Sequence, residues 1–155
     1  MQESIQIGPI EKRDREALVE MFQTDLKDLR IARSRKVLLG VLDGIGAGDE
    51  DAVVFWGARA EAGELIGLLL ANVGWSVKHG GRSLWLEELH VAPSARRMGV
   101  GRKLVERLLE WSRDQGIAGI DLESYQLNAP AAILYRALGF RRLGRERFSI
   151  TLEDA

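Results

Sequence analysis

Hydrophobic residues recur along the chain with two different periods, and these periods predict its secondary structure. Spacings of three and four residues predict helices that follow Asp14 and that cover residues 34–42, 99–115 and 131–138. Alternating or continuous apolar runs predict strands at residues 4–7, 52–60, 64–75, 83–91, 117–124, 140–143 and 147–152. Glycine-containing turns at residues 62–63 and 79–81 separate neighbouring strands. The predicted element order is therefore βααβββαβαββ.

This order predicts an α/β fold in which helices flank a mixed, mostly antiparallel sheet. The early strands follow one another through short turns, as antiparallel neighbours do, whereas the later strand–helix–strand unit favours a parallel pair. The 155 residues fit one domain, and no change in composition marks a boundary. We therefore expect a single domain over residues 1–155 with a sheet of about seven strands.

Charge and composition argue against several functional classes. The 22 Lys and Arg nearly balance the 23 Asp and Glu, so the chain lacks the positive field that nucleic-acid binding uses. Without cysteine it has no disulfide and no thiolate site, and neither histidine has a partner at metal-ligand spacing. No secretory signal or membrane-length apolar run is visible. We expect a cytoplasmic protein that binds no nucleic acid, membrane or metal.

The segment LEELHVAPSARRMGVGR, residues 86–102, joins an apolar strand to an amphipathic helix through a basic loop that contains glycine. Such a loop directs backbone N–H groups towards one point at the positive end of the helix dipole, where a phosphate or pyrophosphate binds. The dinucleotide fingerprint fails because Leu104 stands where its third glycine would be, and the Walker pattern is absent. Taken alone, the loop is more often an ordinary turn with solvated arginines.

Two motifs together resemble those of the Gcn5-related N-acetyltransferase (GNAT) superfamily. Arg96-x-x-Gly99-x-Gly101 matches the pattern Q/R-x-x-G-x-G/A, and residues 128–140 match N-x-x-A-x-x-x-Y-x-x-x-G-F. Both motifs lie in the context that the superfamily gives them, and the resemblance covers nearly the whole chain. The strand sequence LEELHV is also similar to that of the spermidine/spermine N-acetyltransferase branch.

The resemblance implies that the chain uses acetyl-CoA as a co-substrate. Backbone amides of the basic loop would hold the pyrophosphate, the strand carrying Leu89 and Val91 would pair with the pantetheine arm, and Asn128 would contact that arm. The strands around Val91 and Ile120 would splay apart to admit it. The residues expected to bind acetyl-CoA are Leu89, Val91, Arg96, Arg97, Met98, Gly99, Val100, Gly101, Arg102 and Asn128.

The resemblance also implies the reaction, a direct attack of a neutral amine on the thioester in a ternary complex. Tyr135 matches the tyrosine that would protonate the departing thiolate, the alternative being a ring that only packs in the core. Glu87 is the candidate general base, because regular alternation places it on one face with Leu89 and Val91, where burial would raise its pKa. The alternative for Glu87 is a carboxylate at a sheet edge.

Two neighbours of Glu87 are expected on the opposite face of the strand. Glu88 is interpreted as an exposed or substrate-facing acid. His90 titrates near neutral pH, and it would serve as the base only if a β-bulge broke the alternation.

The predicted acceptor is a primary amine of a small molecule, such as a polyamine, a diamine or an aminoglycoside. Asp25, Asp28, the acids at residues 49–51 and Trp75 would attract an ammonium group, unless they form a solvated loop and a core-edge ring. A protein N-terminus or lysine is the alternative acceptor, and a non-catalytic acyl-CoA-binding regulatory domain is the alternative function. The resemblance further implies a homodimer.

Overall fold

A computed structural model describes residues 4–125 and 128–152 of the chain. Its contacts divide the chain into two compact units, Met1–Glu123 and Ser124–Ala155, which we call the first and second units. The first unit contains β1 (Gln6–Pro9), α1 (Arg15–Asp28), α2 (Arg35–Ala47), β2 (Val53–Arg59), β3 (Leu65–Ser76), β4 (Gly81–Val91), α3 (Val100–Asp114) and β5 (Gly119–Leu122). The second unit contains α4 (Ala129–Ala137). No helix within the described residues is both long enough and apolar enough to cross a membrane.

The sheet of the first unit has the spatial order β1-β2-β3-β4-β5. Neighbouring strands are antiparallel from β1 to β4, and β4 pairs with β5 in parallel. The turns predicted before β3 and before β4 both form, and each holds a glycine with a positive φ, +92° at Gly63 and +79° at Gly80. The mixed, mostly antiparallel sheet flanked by helices is thus confirmed.

Two apolar clusters cover the two faces of this sheet. On one face, α3 buries Val100, Leu104 and Leu108 against the strands. Their helical spacing puts them on one side of α3, and full burial of each such side chain contributes roughly 1.5–3 kcal/mol. On the other face, α1 and α2 bury residues that include Leu18 and Phe22 against Leu68 of β3. A strand residue on one face of the sheet therefore packs against α3, and one on the other face packs against α1 and α2.

A β-bulge interrupts β4 at its two adjacent acids, Glu87 and Glu88. Leu70 of β3 lies opposite Glu88, whereas its neighbour Ala71 lies opposite Leu86. Glu87 is therefore the extra residue, with no partner on β3. One extra residue reverses the alternation, so Leu86 and Leu89 both pack on the α3 side of the sheet.

The start of α3 is held close to the sheet by a glycine of β3. A Cβ atom on Gly67 would lie 2.8 Å from Cγ1 of Val100 and 3.2 Å from the carbonyl oxygen of His90. Any larger residue would have to push the helix away. Gly67 therefore fixes the first turn of α3 against the strands, next to the end of β4.

The expectation of about seven strands is wrong for the described residues, in which five strands form. Residues 140–143 and 147–152 belong to no strand. Phe148, Ile150 and Leu152 do alternate with polar residues, but all three are exposed. Alternation supplies a strand-like face, whereas a strand also needs hydrogen bonds to a neighbour, and this segment has no sheet partner among the described residues.

Two local expectations also change. The predicted loop after Leu42 begins later, because α2 continues to Ala47 through Gly44 and Gly46. Asp14 stands at the N-terminal cap position of α1, but its side chain caps nothing there. Its carboxylate accepts hydrogen bonds from the guanidinium of Arg59 instead, at 2.9 and 2.5 Å.

Candidate active site

The loop between β4 and α3 presents unpaired amides. A short 3-10 turn at Pro93–Ala95 leaves the sheet, and two residues then adopt left-handed conformations, Arg97 at φ +73° and Gly99 at φ +75°. Gly99 caps α3, and the amides of the first turn of a helix have no partner within the helix. These N–H groups and the positive end of the helix dipole favour an anion in front of residues 99–102.

The three arginines of this loop contribute less positive charge to an anion site than their number suggests. Arg96, Arg97 and Met98 are exposed. Arg102 donates to Glu106 at 2.6 Å one turn further along α3, which offsets its charge. The backbone of the loop is therefore its main anion-binding group.

The end of β4 lies beside this loop and has a free edge. The ladder with β5 runs from Ser83 opposite Gly119 to Leu86 opposite Leu122. Beyond it, β4 continues to Val91 with no strand on that side among the described residues, so backbone hydrogen-bonding groups remain available there. Val91 thus has no partner on β5, as the resemblance expects, whereas the expectation that the strands separate around Ile120 is wrong, because Ile120 pairs with Leu84.

Gly101 lies where the start of α3 meets the free edge of β4. A Cβ atom on Gly101 would lie 3.6 Å from Cγ2 of Val91 and 4.0 Å from Cδ2 of Leu89, which are ordinary contact distances. The protein itself therefore tolerates a side chain at this position. The anion-binding amides and the free edge are neighbours within the first unit, and together they fit a long ligand with a phosphate at one end and amides further along.

The two adjacent acids of β4, Glu87 and Glu88, lie in different environments. Glu87, at the bulge, is exposed, so the expectation that it lies on a buried face is wrong. The bulge is the reason, because it shifts every later residue of β4 by one position. Glu88 is the half-buried member of the pair. Of the two expectations for Glu88, an exposed acid is therefore wrong, and a substrate-facing acid stays a prediction.

Glu88 faces α1, together with His90. Their cross-strand partners are Leu70 and Leu68, and Leu68 packs in the α1–α2 cluster. Burial, then the negative charges of Asp25 and Glu87, and finally a hydrogen bond with Asp25 raise the pKa of Glu88 to about 8. His90 is 7% exposed, and its Nδ1 lies 3.9 Å from Oδ1 of Asp25. Three titratable side chains thus meet between β4 and α1.

Sequence reasoning named Asp25 only as one of several acids near the acceptor. Its spacing held a more specific signal, because Asp25 comes three residues after Phe22 and so continues the buried face of α1. The other acceptor candidates are dispersed in exposed positions. Asp28 and residues 49–51 are exposed, and Trp75 is 84% exposed.

A cleft near the α1–α2 connection is lined by cationic groups rather than acids. Its volume is about 500 Å³, and its lining residues are Gln23, Lys27, Arg30, Ile31, Ala32, Arg33 and Ser34. This lining gives no support to a polyamine at that position.

Asn128 and Tyr135 belong to the second unit. The Oδ1 atom of Asn128 accepts a hydrogen bond from the amide of Ala131 at 3.3 Å, and so caps α4. The ring of Tyr135 meets that of Phe140 edge-on, with centroids 5.8 Å apart. Burial raises the pKa of the Tyr135 hydroxyl, which keeps it protonated at neutral pH. Both residues thus have a structural role within their own unit.

Comparison with known proteins identifies the family. Residues 15–140 match the model of the acetyltransferase (GNAT) family. The chain belongs to this family. Streptothricin acetyltransferase of Streptomyces lavendulae is 34% identical over 102 residues, which are 66% of this chain and 51% of that protein. The GNAT chain described here spans about half the length of the curated relatives it matches.

Solved structures show the same fold. A possible acetyltransferase from Clostridium difficile 630 superposes with a TM-score of 0.81 at 17% identity, covering 97% of this chain and 99% of that one. The structure of AAC(6')-Iy with a CoA bisubstrate analogue gives a TM-score of 0.76 at 22% identity, covering 96% and 99%. The strand–loop–helix segment of this GNAT chain therefore lies in a fold that acetyltransferases share.

Proposed function

We propose that the chain transfers an acetyl group from acetyl-CoA to a primary amine of a small molecule. The observation that carries the proposal is the contact between the first turn of α3 and the free edge of β4. The amides of residues 99–102 would hold the pyrophosphate, and the edge that includes Leu89 and Val91 would pair with the pantetheine arm. Arg96, Arg97 and Met98 would border the phosphates, and Asn128 is the proposed pantetheine contact that the sequence resemblance implies.

The chemistry needs a proton acceptor and benefits from a proton donor. A primary amine is protonated near neutral pH and must lose a proton before or during its attack on the thioester carbonyl. A backbone amide at residues 89–91 would stabilise the oxyanion that develops. Tyr135 is the proposed acid for the departing thiolate, and its protonated state supports that role.

Two neighbouring carboxylates are candidates for the base. Glu87 matches the glutamate proposed as the base in the spermidine/spermine N-acetyltransferase branch that LEELHV resembles, and it is exposed at the bulge. Glu88 is half-buried and has a pKa of about 8, close to the value at which a base is both available and strong at neutral pH. We favour Glu88 on this ground, and Glu87 is retained as the alternative.

The acceptor is the least constrained part of the proposal. Streptothricin acetyltransferase and an aminoglycoside acetyltransferase are among the similar proteins, which supports a polyamine-like, diamine or aminoglycoside-like amine. A protein N-terminus or lysine is the alternative acceptor, and a regulatory acyl-CoA-binding domain is the alternative function. A homodimer and a cytoplasmic location also remain proposals.

The first experiment measures acetyl-CoA binding by calorimetry and thiol release with polyamines, aminoglycosides, amino acids and peptides. The test variant is Gly101→Asp, because the position has room for a side chain and an acid in the first turn suits the helix dipole. We expect a normally folded variant with acetyl-CoA affinity at least about tenfold lower, since the carboxylate repels the pyrophosphate.

Gly40→Asp, in the open surface of α2, is the matched control and should bind normally. Unchanged affinity in Gly101→Asp would show that the start of α3 does not hold the phosphates. Binding without turnover of any small amine would favour the protein acceptor or the regulatory domain.

A further inference from the structure

The outward face of α2 is apolar, whereas a helix at a protein surface ordinarily turns polar residues outwards. Leu38 and Leu42 of α2 pack against α1 and β3. Val37 and Val41 lie on the opposite side, and they are 50% and 51% exposed. The other positions that share this side at helical spacing hold small residues, Gly40, Gly44 and Ala47. We call Val37, Gly40, Val41, Gly44 and Ala47 the α2 face.

The charged side chains of α2 leave this face uncovered. Arg35 donates to Glu16, and Asp43 accepts from Arg15, so both are held towards α1. A Cβ atom on Gly40 would meet open space, so packing within the chain does not require glycine there. A helix that is apolar on both sides is typically covered on both sides. The α2 face therefore has the character of an interface.

Unpaired charges of opposite sign lie beyond the two ends of α2. Before the helix, Arg33 lines the cleft at the α1–α2 connection together with Lys27 and Arg30. After the helix, residues 49–51 are three consecutive exposed acids. Within the part of the chain that the structure describes, none of these six side chains forms an ion pair. The 13 residues of α2 hold the two groups about 20 Å apart, so they cannot pair within one chain.

This placement of charge opposes the dipole of α2. A helix dipole favours acids at the N-terminal end and cations at the C-terminal end, but α2 has no acid in its first turn and no cation in its last turn. An antiparallel neighbour with the same sequence would bring acids to the cationic end and cations to the acidic end. The charges therefore indicate a second copy of this chain as the occupant of the α2 face.

The spacing of the charges also fixes the arrangement. Residue 41 is midway between positions 33 and 49, each about 12 Å away along the helix axis. A twofold axis at Val41 would thus bring the partner's residues 49–51 to the cleft of the first chain, and the same contact would form in the other direction. The small residues of the α2 face would let the two helices approach closely.

We propose that α2 is the interface of a homodimer, in which two copies pack the α2 face antiparallel and each places residues 49–51 against the cationic cleft of the other. This inference rests on the homodimer of the proposed function and not on the proposed reaction. Its failure and the failure of the reaction therefore have different readouts.

The first test is the molecular mass in solution, measured by sedimentation velocity over a range of concentrations. The wild type should reach about twice the chain mass of 17.3 kDa. Val41→Glu places two carboxylates next to each other at the axis, so the dissociation constant of the dimer should rise at least about hundredfold. Val77→Glu is the matched control, because Val77 is fully exposed in the turn before β4, and its dimer should be unchanged.

The second test uses the absence of cysteine from the sequence. In Val41→Cys the only thiols of the dimer would meet at the axis, and oxidation should link the two chains. In Val37→Cys the two thiols would be about 12 Å apart along the helices, too far for a disulfide. Val77→Cys should not link either. Equal linking at positions 37 and 41 would indicate parallel helices and would overturn the proposed arrangement.

The third test reverses the charges at the two ends. Arg33→Glu and Glu50→Lys should each weaken the dimer, because each places like charges in contact. The two changes together should restore most of the wild-type affinity, since every contact would again join opposite charges. A double variant as weak as the sum of the two single variants would show that residues 49–51 do not meet the cleft.

Circular dichroism would verify that each variant is folded. If Val41→Glu did not fold, Gly40→Asp would place a charge on the same face, where a side chain has room. A wild type that stays monomeric at every concentration would overturn this interface and the homodimer together. A dimer that Val41→Glu and Gly40→Asp leave intact would overturn the interface alone. Acetyl-CoA binding and thiol release test the reaction separately, and both should persist in the monomeric variants.

Discussion

Two buried carboxylates at the two ends of α1 have opposite partners. Asp14, just before the helix, is 3% exposed, and its carboxylate accepts two hydrogen bonds from the guanidinium of Arg59. Glu88, against the other end, is half-buried and lies near the negative charges of Asp25 and Glu87. Loss of water raises the pKa of both groups. The comparison therefore shows what partners of opposite charge add to that common tendency.

The partner decides the sign of the pKa shift. For Asp14, burial alone would raise the pKa, but hydrogen bonds from Arg59 and from the amide of Glu11, together with the charge of Arg59, lower it overall. For Glu88, burial and the nearby carboxylates act in the same direction and raise the pKa to about 8. The first arrangement holds β2 to the start of α1, whereas the second leaves a carboxyl that changes charge near neutral pH. A carboxyl that has lost water is thus held ionised beside a cation and held protonated beside other carboxylates.

The largest expected effect concerns the reactive end. Glu88→Gln removes the proposed base, and kcat/KM should fall by about 10²–10⁴, the usual contribution of general base catalysis. Glu87→Gln should cost less than about tenfold, because its side chain lies at the exposed bulge. Steady-state kinetics with the best amine would measure both variants. The reverse ranking would assign the base to Glu87.

The next effect concerns the structural end. Asp14→Ala leaves Arg59 largely buried without its partner, and the free energy of unfolding should fall by about 3–5 kcal/mol. Glu16→Ala, which breaks the exposed pair with Arg35, is the control and should change stability far less. Chemical denaturation would measure both. If the free energy of unfolding fell equally in the two variants, the buried Asp14–Arg59 pair would stabilise the fold no more than the exposed pair does.

The smallest expected effect is a difference in how Glu88 and Asp14 make stability depend on pH. The folded pKa of Glu88 lies above its ordinary value, so its ionisation opposes folding increasingly as the pH rises from about 4.5 to 8. Glu88→Gln should therefore be more stable than the wild type above pH 8, by on the order of a few kcal/mol, with the difference fading towards pH 5. The lowered pKa of Asp14 gives the opposite sign, because its contribution is lost as the solution becomes acidic.

Thermal denaturation from about pH 2 to pH 9 would separate the two pH dependences, because that of Asp14 lies below its ordinary pKa of 3.8 and that of Glu88 lies between about 4.5 and 8. A stability difference between Glu88→Gln and the wild type that does not change with pH would show that Glu88 is not held protonated in the folded chain.

Sequence reasoning predicted the parts of this molecule that depend on local patterns. The loop at residues 96–102 was found because its glycines and the apolar spacing of α3 lie in one short segment. The two hairpins of the sheet were found for the same reason. Glu87 was assigned to a buried face because regular alternation was assumed, and no residue type in LEELHV marks where the extra residue of the bulge falls.

The pattern of hydrophobic and polar residues could not predict contacts between residues that are far apart in sequence. Asp14 has the sequence context of a helix cap, and only the fold brings Arg59 to it across 45 positions of the chain. Asp25 and Glu88 are still further apart in sequence. The residues at 147–152 show the converse, because a strand-like alternation by itself does not provide a hydrogen-bonding neighbour.

The left-handed residues of the β4–α3 loop have a consequence for association kinetics. Folding already holds Arg97 in a left-handed conformation that a free chain would seldom adopt, and Gly67 positions the helix that follows. An anion that arrives at this loop meets donors that are already aimed, so little conformational freedom is left to lose on binding. The rate of capture is then governed by diffusion and charge rather than by a slow rearrangement of the backbone.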